Sequence, residues 1–329
     1  MIRMEERKTL LDIRRLSKQF PIRSKHLFGK TQTLYAVDDV TIRIYEGETL
    51  GIIGESGCGK STLGRMVVGL HQPTSGEIFY DGDKVDTQHK RGYDKIRKSV
   101  QMVFQDPYSS LDPRTTCGDL VAEPLIIHGL CPDRKEREKR VASLLEEVGL
   151  SAQHIYRYPH EFSGGQRQRI NVARALALNP RLIVCDEPVS ALDVSIQAQV
   201  LNLLNRLQRE YNLSYMFISH DLSVIKHISD RIAIMYLGRV VELCSAEEIY
   251  KHPLHPYTQA LLSAIPPSSP FEKKERITLK GDVPSPIGKR AECPLAKRCP
   301  HCTERCRKET PQLRECEKGH FVACFQAEG

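Results

Sequence analysis

An apolar run, Leu50 to Ile53, passes directly into Gly54, Glu55, Ser56, Gly57, Cys58, Gly59, Lys60, Ser61 and Thr62, and this junction constrains the fold more than any other feature of the chain. The pattern G-x-x-x-x-G-K-[ST] needs a buried strand, a turn of bare backbone and the first turn of a helix, in that order. Glycines are required because successive N–H groups can wrap around phosphate oxygens only where no Cβ intervenes. The helix N-terminus adds partial positive charge. Lys60 is expected to reach the β and γ phosphates of a nucleotide and Ser61 to ligate Mg²⁺. A plain glycine-rich turn is the alternative, and the preceding strand weighs against it. Cys58 fills a free position of the pattern and is read as loop filler, not as a redox thiol.

Two more apolar runs, Leu182 to Cys185 and Tyr215 to Ile218, have the length and flanks of strands buried on both faces, hence of a parallel sheet. Parallel sheets bind ligands beyond the carboxyl ends of their strands. The first run ends in Asp186 and Glu187, the second in Ser219 and His220. Asp186 is expected to hold Mg²⁺, Glu187 to polarise an attacking water and His220 to contact a γ-phosphate. A surface acidic pair and a structural histidine are the bland readings. Three strands delivering phosphate-competent groups to one edge outweigh them.

Helical spacing at Val141, Leu144, Leu145 and Val148, and again at Val200, Leu203, Leu204 and Leu207, alternates with these strands, so the class is α/β. Residues 13–44 offer short β-like stretches around a polar loop at 23–33, which implies an antiparallel flank. From about Asp106 to Gln153 the pattern is mostly helical. Beyond Asp230 come another β-like stretch (231–242), a short helix (246–250) and a proline-marked linker (266–290).

The 329 residues allow one large domain or two unequal ones. With 40% hydrophobic and 27% charged residues and a mean hydropathy of −0.38, disorder, collagen and a membrane-embedded chain are excluded. No apolar run approaches the ~18 residues of a bilayer span, and Met1 to Leu10 lacks a signal-peptide core. A cytosolic chain is therefore expected. Lys plus Arg number 48 against 41 Asp plus Glu, but the charges intermix, as from Arg134 to Arg140. That mixture marks a solvated helix face and gives no nucleic-acid surface.

Six of the eleven cysteines (Cys293, Cys299, Cys302, Cys306, Cys316 and Cys324) fall in the last 37 residues. Cytosolic thiols stay reduced, so the cluster points to metal or iron–sulfur ligation and not to disulfides.

One more segment, Phe162-Ser163-Gly164-Gly165-Gln166, opens a helical pattern with an S-x-x-Q capping box. Between the glycine loop and the Asp186–Glu187 strand, it resembles the signature sequence of ATP-binding cassette (ABC) ATPases. The resemblance runs from Leu11 to Cys324. It implies an α/β P-loop NTPase core with a parallel sheet, an antiparallel β flank and a helical subdomain, plus a small Cys-rich C-terminal extension. The expected division is a cassette over 1–265, with its helical subdomain at about 106–175, then a linker and Cys-rich extension over 266–329.

The resemblance also implies roles. Tyr35, 25 residues before Lys60, would stack on adenine. Gln105, in Phe104-Gln105-Asp106-Pro107, would link Mg²⁺ and the attacking water to the membrane partner. Ser190-Ala191-Leu192-Asp193 would cross to an opposite subunit. Two cassettes would pair head to tail, with each ATP between the P-loop of one and Ser163, Gly164, Gly165 and Gln166 of the other. Within the family the chain is similar to the second ATPase of oligopeptide and dipeptide importers, on the phrases Val189 to Gln199 and His252 to Thr258 and on the tail. This implies a second ATPase subunit, two membrane permeases, an extracytoplasmic peptide-binding protein and a peripheral place on the cytoplasmic face of the inner membrane. Nickel importers share much of this pattern.

The tail resembles C-x₅-C-x₆-C-x₁₇-C, met by Cys293, Cys299, Cys306 and Cys324. A [4Fe–4S] cluster and a Zn²⁺ ion both suit four thiolates. Cys302 and Cys316 fall outside that spacing. The tail is expected to be structural and remote from the phosphates. Two other classes remain alternatives: a soluble cassette protein acting on DNA or ribosomes, and a metal-sensing regulator in which the tail is primary.

Overall fold

The computed structural model describes residues 7–22, 32–265, 275–288 and 291–327. The expected loop at 23–33 thus lies outside the described residues except for its last two, and so do 266–274 and 289–290 of the linker. The chain opens with two long strands, β1 (Thr9–Ile22) and β2 (Gln32–Tyr45), paired antiparallel with several bulges. β3 (Thr49–Ile53) follows, buried along its whole length, then the glycine loop and α1 (Lys60–Val67). β4 (Ser75–Tyr80) and β5 (Asp83–Lys84) return to the flank, giving a four-stranded sheet in the order β2-β1-β4-β5.

After β6 (Val100–Val103) the chain becomes helical, with α2 (Cys117–Ile127), α3 (Arg134–Glu147) and α4 (Gly164–Leu176). Each of these helices starts on a side-chain cap that satisfies a free N–H of the first turn. Thr116 accepts from Asp119 N, Asp133 from Glu136 N, and Ser163 from Gln166 N. At α4 the capping box closes both ways, because Gln166 Oε1 also accepts from Ser163 N at 3.0 Å.

β7 (Leu182–Asp186), α5 (Val194–Tyr211), β8 (Ser214–Ser219), α6 (Leu222–Ile228), β9 (Arg231–Tyr236) and β10 (Arg239–Ser245) complete the core. The short helices α7 (Ala246–Lys251) and α8 (Pro256–Ser263) follow. The tail adds α9 (Glu304–Lys308), β11 (Arg314–Glu317) and β12 (His320–Val322).

The second sheet runs β11-β12-β10-β9-β3-β8-β7-β6. Its β6, β7, β8, β3 and β9 are parallel, and β10, β12 and β11 continue it antiparallel. The Cys-rich extension is therefore joined to the cassette's own sheet, Glu242 facing Val322 and Leu243 facing Phe321. A buried contact reinforces the joint, with His320 Nε2 lying 2.7 Å from Glu242 Oε1. Apolar side chains fill both faces of this sheet. The helical side takes Val141, Leu144 and Leu145 of α3 and Val200, Leu203, Leu204 and Leu207 of α5, while the opposite side packs on the β flank. No helix among the described residues is long and apolar enough to cross a membrane.

Candidate active site

The strand order brings β7, β8 and β3 side by side, so that their carboxyl ends open on one edge. A cavity of about 500 Å³ lies there, lined by the glycine loop and α1 (Ser56, Gly57, Gly59, Lys60, Ser61 and Thr62), by Gln105, Glu187 and His220, and by Phe20, Leu34, Ala36 and Pro286.

Two glycines of the loop are dictated by close backbone approach. A Cβ on Gly54 would meet Met235 O at 2.1 Å. Gly59 sits at φ +105°, where a Cβ would meet Ala36 O at 2.0 Å. Lys60 is buried, and its Nζ donates to Gly54 O (2.7 Å) and Glu55 O (3.0 Å). The ammonium is thus held under the loop that its charge would help fill with phosphate. The Cys58 thiol is buried, and burial raises its pKa, which suits an inert filler.

Ser61 Oγ donates to Asp186 Oδ1 at 2.7 Å. Asp186 is 1% exposed, and burial pushes its carboxyl above the usual range against the opposing Ser61 hydrogen bond. A buried carboxylate hydrogen-bonded to a hydroxyl at the edge of a cavity that Gln105 also lines offers hard oxygen donors of the kind that fit Mg²⁺.

Glu187 is the hub. Gln105 Nε2 donates to its Oε2 at 3.0 Å, and His220 Nδ1 lies 3.1 Å from the same oxygen. These partners come from residues 82 and 33 positions away in sequence. Glu187 has φ 48°, left-handed for a residue with a Cβ, and its N–H donates to Ile218 O at 2.9 Å. Such a backbone costs about 1–3 kcal/mol and persists where surrounding structure holds it, typically at functional sites.

Tyr35 does not line this cavity. Strand β2 alternates sides, so Leu34 and Ala36 line the cavity while Tyr35 faces the other way, near Asp38 and Arg239. The aromatic ring in the cavity is that of Phe20, on β1, which packs edge-on against His71 with centroids 5.7 Å apart. Spacing from Lys60 misses it, because the hairpin and not the count along the chain decides which ring arrives.

Ser163, Gly164, Gly165 and Gln166 do not line this cavity, nor does Asp193, which is exposed just before α5. They are close to one another instead: a Cβ on Gly165 would meet Ile196 Cγ2 at 2.3 Å, and one on Gly164 would meet Leu192 Cδ2 at 3.3 Å.

In the tail, the Cys293 thiol has those of Cys306, Cys324 and Cys299 as electrostatic neighbours, and burial pushes it up to about 12. Burial also raises Cys299 and Cys324. Cys302 and Cys316 are turned to backbone carbonyls, those of Thr303 (3.6 Å) and Arg314 (3.8 Å). Among the described residues no group of three or more His, Cys, Asp or Glu side chains is gathered closely enough to hold a metal ion. The tail touches the phosphate loop through one side chain, Arg298, whose Nη1 lies 3.5 Å from Glu55 Oε1.

Comparison with known proteins assigns the family. A family model described as "ABC transporter" matches residues 37–190, and one described as "Oligopeptide/dipeptide transporter, C-terminal region" matches residues 241–306. The chain is 52% identical over 319 residues to the oligopeptide transport ATP-binding protein AppF of Bacillus subtilis, covering 96% of this chain and 97% of that one.

The chain belongs to the ABC transporter family.

The oligopeptide transport ATP-binding protein OppF of Escherichia coli is 51% identical, with 98% of each chain covered. The dipeptide transport ATP-binding protein DppF of Haemophilus influenzae is 49% identical, also with 98% of each covered. Among solved structures, the ATP-binding cassette MJ0796, a dimer bound to ADP and Pi in a post-hydrolysis state, superposes with a TM-score of 0.63 at 31% identity. It covers 72% of this chain and 99% of that one. The fold is thus that of the ABC ATPases, and the chain is an ATPase whose activity serves transport.

Proposed function

We propose that this ABC ATPase energises the uptake of oligopeptides or dipeptides, and that the cavity at the β3–β7–β8 edge is where it hydrolyses ATP. The observation that carries the site is the convergence of Gln105 and His220 on one oxygen of Glu187, beside the loop that holds Lys60. In this reading the backbone of the residues that line the cavity, Ser56, Gly57 and Gly59 to Thr62, together with the Lys60 ammonium, binds the phosphates. Ser61, Asp186 and Gln105 would hold Mg²⁺, which would supply neutralising charge for the phosphate oxygens. Glu187 orients and polarises the water, His220 faces the γ-phosphate, and Phe20 offers its ring to the base in place of Tyr35. Peptide as the cargo is supported by the C-terminal match and by the printed functions of the relatives.

Ser163 to Gln166 and Asp193 lie outside the cavity, which supports a second cassette supplying them across a head-to-tail dimer. The permeases would dock at a groove of about 580 Å³ that includes Ser109, Asp112, Glu123 and Arg174, where Ile126 and Ile127 are 56% and 71% exposed. An extracytoplasmic binding protein would deliver the peptide, and the ATPase would sit at the cytoplasmic face of the inner membrane. In the tail, Cys293, Cys299, Cys306 and Cys324 would hold a [4Fe–4S] cluster. Four thiolates match the donor demand of such a cluster, which would have to draw the cysteines closer together than they stand here and would cross-link the extension.

The test is tagged Glu187→Gln protein in its host, with ATP and Mg²⁺ present and membranes gently solubilised. ATP should still bind, turnover should fall at least ~100-fold, and two permeases and a second cassette should co-purify. Parent-like turnover removes Glu187 from its role, and recovery of ribosomal or DNA-bound partners alone overturns the importer reading.

A further inference from the structure

The C-terminal extension grips the phosphate loop, and the ATPase chemistry described above makes no use of that grip. Arg298, the residue before Cys299, reaches across 243 positions of sequence to Glu55, the second residue of the loop. Its Nη1 lies 3.5 Å from Glu55 Oε1 and 3.3 Å from the Tyr236 hydroxyl. The two charged side chains are 11% and 30% exposed. The backbone of the same loop residue is also held from the C-terminal half. Glu55 N donates to the Tyr257 hydroxyl at 3.1 Å, and the Tyr257 ring packs on Tyr236 with centroids 4.6 Å apart.

A phosphate loop is built to receive an anion, and Glu55 puts a carboxylate into it. A like charge near a triphosphate weakens binding unless it is neutralised or turned away. Both conditions are met here, since Glu55 does not line the phosphate cavity and its carboxylate faces the Arg298 guanidinium. The contact also has slack. Among the described residues, Glu55 Oε2 and Arg298 Nε are both buried without a hydrogen-bond partner. Lys60 restrains the same loop through Gly54 O and Glu55 O.

We infer that Arg298 is a positioning residue for the phosphate loop: it neutralises Glu55 and holds its carboxylate out of the cavity, so that the Cys-rich extension sets the affinity for ATP. The inference rests on the loop being the ATP site. Lys60→Ala therefore serves as a control that must lose ATP binding, and its failure would sink the site and not the clamp.

The experiment is a charge cycle on the full chain, with ATP binding measured by calorimetry and kcat and KM measured alongside. Arg298→Ala should weaken ATP binding roughly tenfold, raising KM while kcat at saturating ATP holds. Arg298→Lys, which keeps the charge, should recover most of the affinity. Glu55→Gln in the Arg298→Ala background should restore binding, because the exposed carboxylate is then gone. A purely structural Arg298 would not be rescued by a change at Glu55. Thermal melts identify a variant that fails to fold, and Arg298→Gln, which retains most of the length and packing, then takes the place of Arg298→Ala in the same cycle. ATP affinity equal to the parent's in the charge-removed variant, or a double variant as weak as the single one, overturns the inference.

Discussion

Acid should loosen the segment that ties α8 to the phosphate loop, and His255 sets the size of the effect. Its side chain is 2% exposed. Nδ1 accepts from Tyr257 N at 3.1 Å, capping α8, and the backbone N–H of His255 donates to Glu242 Oε2 at 3.1 Å. Burial pushes the imidazole from 6.5 down to about 4, with the Glu242 carboxylate opposing. Between those values the unfolded chain binds a proton that the folded one refuses. Stability therefore rises with pH across the window and falls on acidification. A gap of about 2.5 pH units at ~1.4 kcal/mol each amounts to about 3 kcal/mol lost by pH 4, and about 2 kcal/mol by pH 5. Protonation at Nδ1 would in addition remove the acceptor that caps α8.

The assay is urea denaturation of the parent and of His255→Asn at pH 7, 6 and 5. Asn keeps an oxygen able to cap the helix but does not titrate. The variant starts less stable, because it leaves space where the ring was, and the parent should lose that lead as pH falls. A stability difference between the two that is the same at pH 7 and pH 5 would refute the reasoning.

Two other expectations follow from the site and the tail. Phe20→Ala should weaken ATP binding roughly tenfold through loss of a stacking face, whereas Tyr35→Ala should leave it within about twofold; competition binding with the two variants in parallel checks this, and the reverse order would return the base to Tyr35. Protein purified without oxygen should carry four irons and four acid-labile sulfides per chain and a broad visible absorption, all lost in Cys306→Ser; stoichiometric zinc with no sulfide would replace the cluster with a zinc site.

The core of the fold was legible in the sequence because its signals are local. A strand running into G-x-x-x-x-G-K-[ST] needs no partner to be recognised, since the close approaches at Gly54 and Gly59 tolerate nothing larger. The Ser163–Gln166 capping box and the stripes on α3 and α5 are equally short-range, set by helix periodicity. Such signals were enough for an α/β core with a parallel sheet.

What the tertiary structure alone decided are the meetings between distant segments. Phe20 and not Tyr35 enters the cavity, because strand pairing sets which face of β1 and β2 looks toward the loop, and a shift by one residue exchanges the faces. The extension looked like an appended module, since proline and cysteine content describes a segment but not its neighbours. Its β12 instead continues the central sheet, and Arg298 arrives at Glu55 from 243 positions away. A lone arginine among the many charged residues of the tail has no pattern that marks its partner. Only the path of the chain through space brings the two charges together.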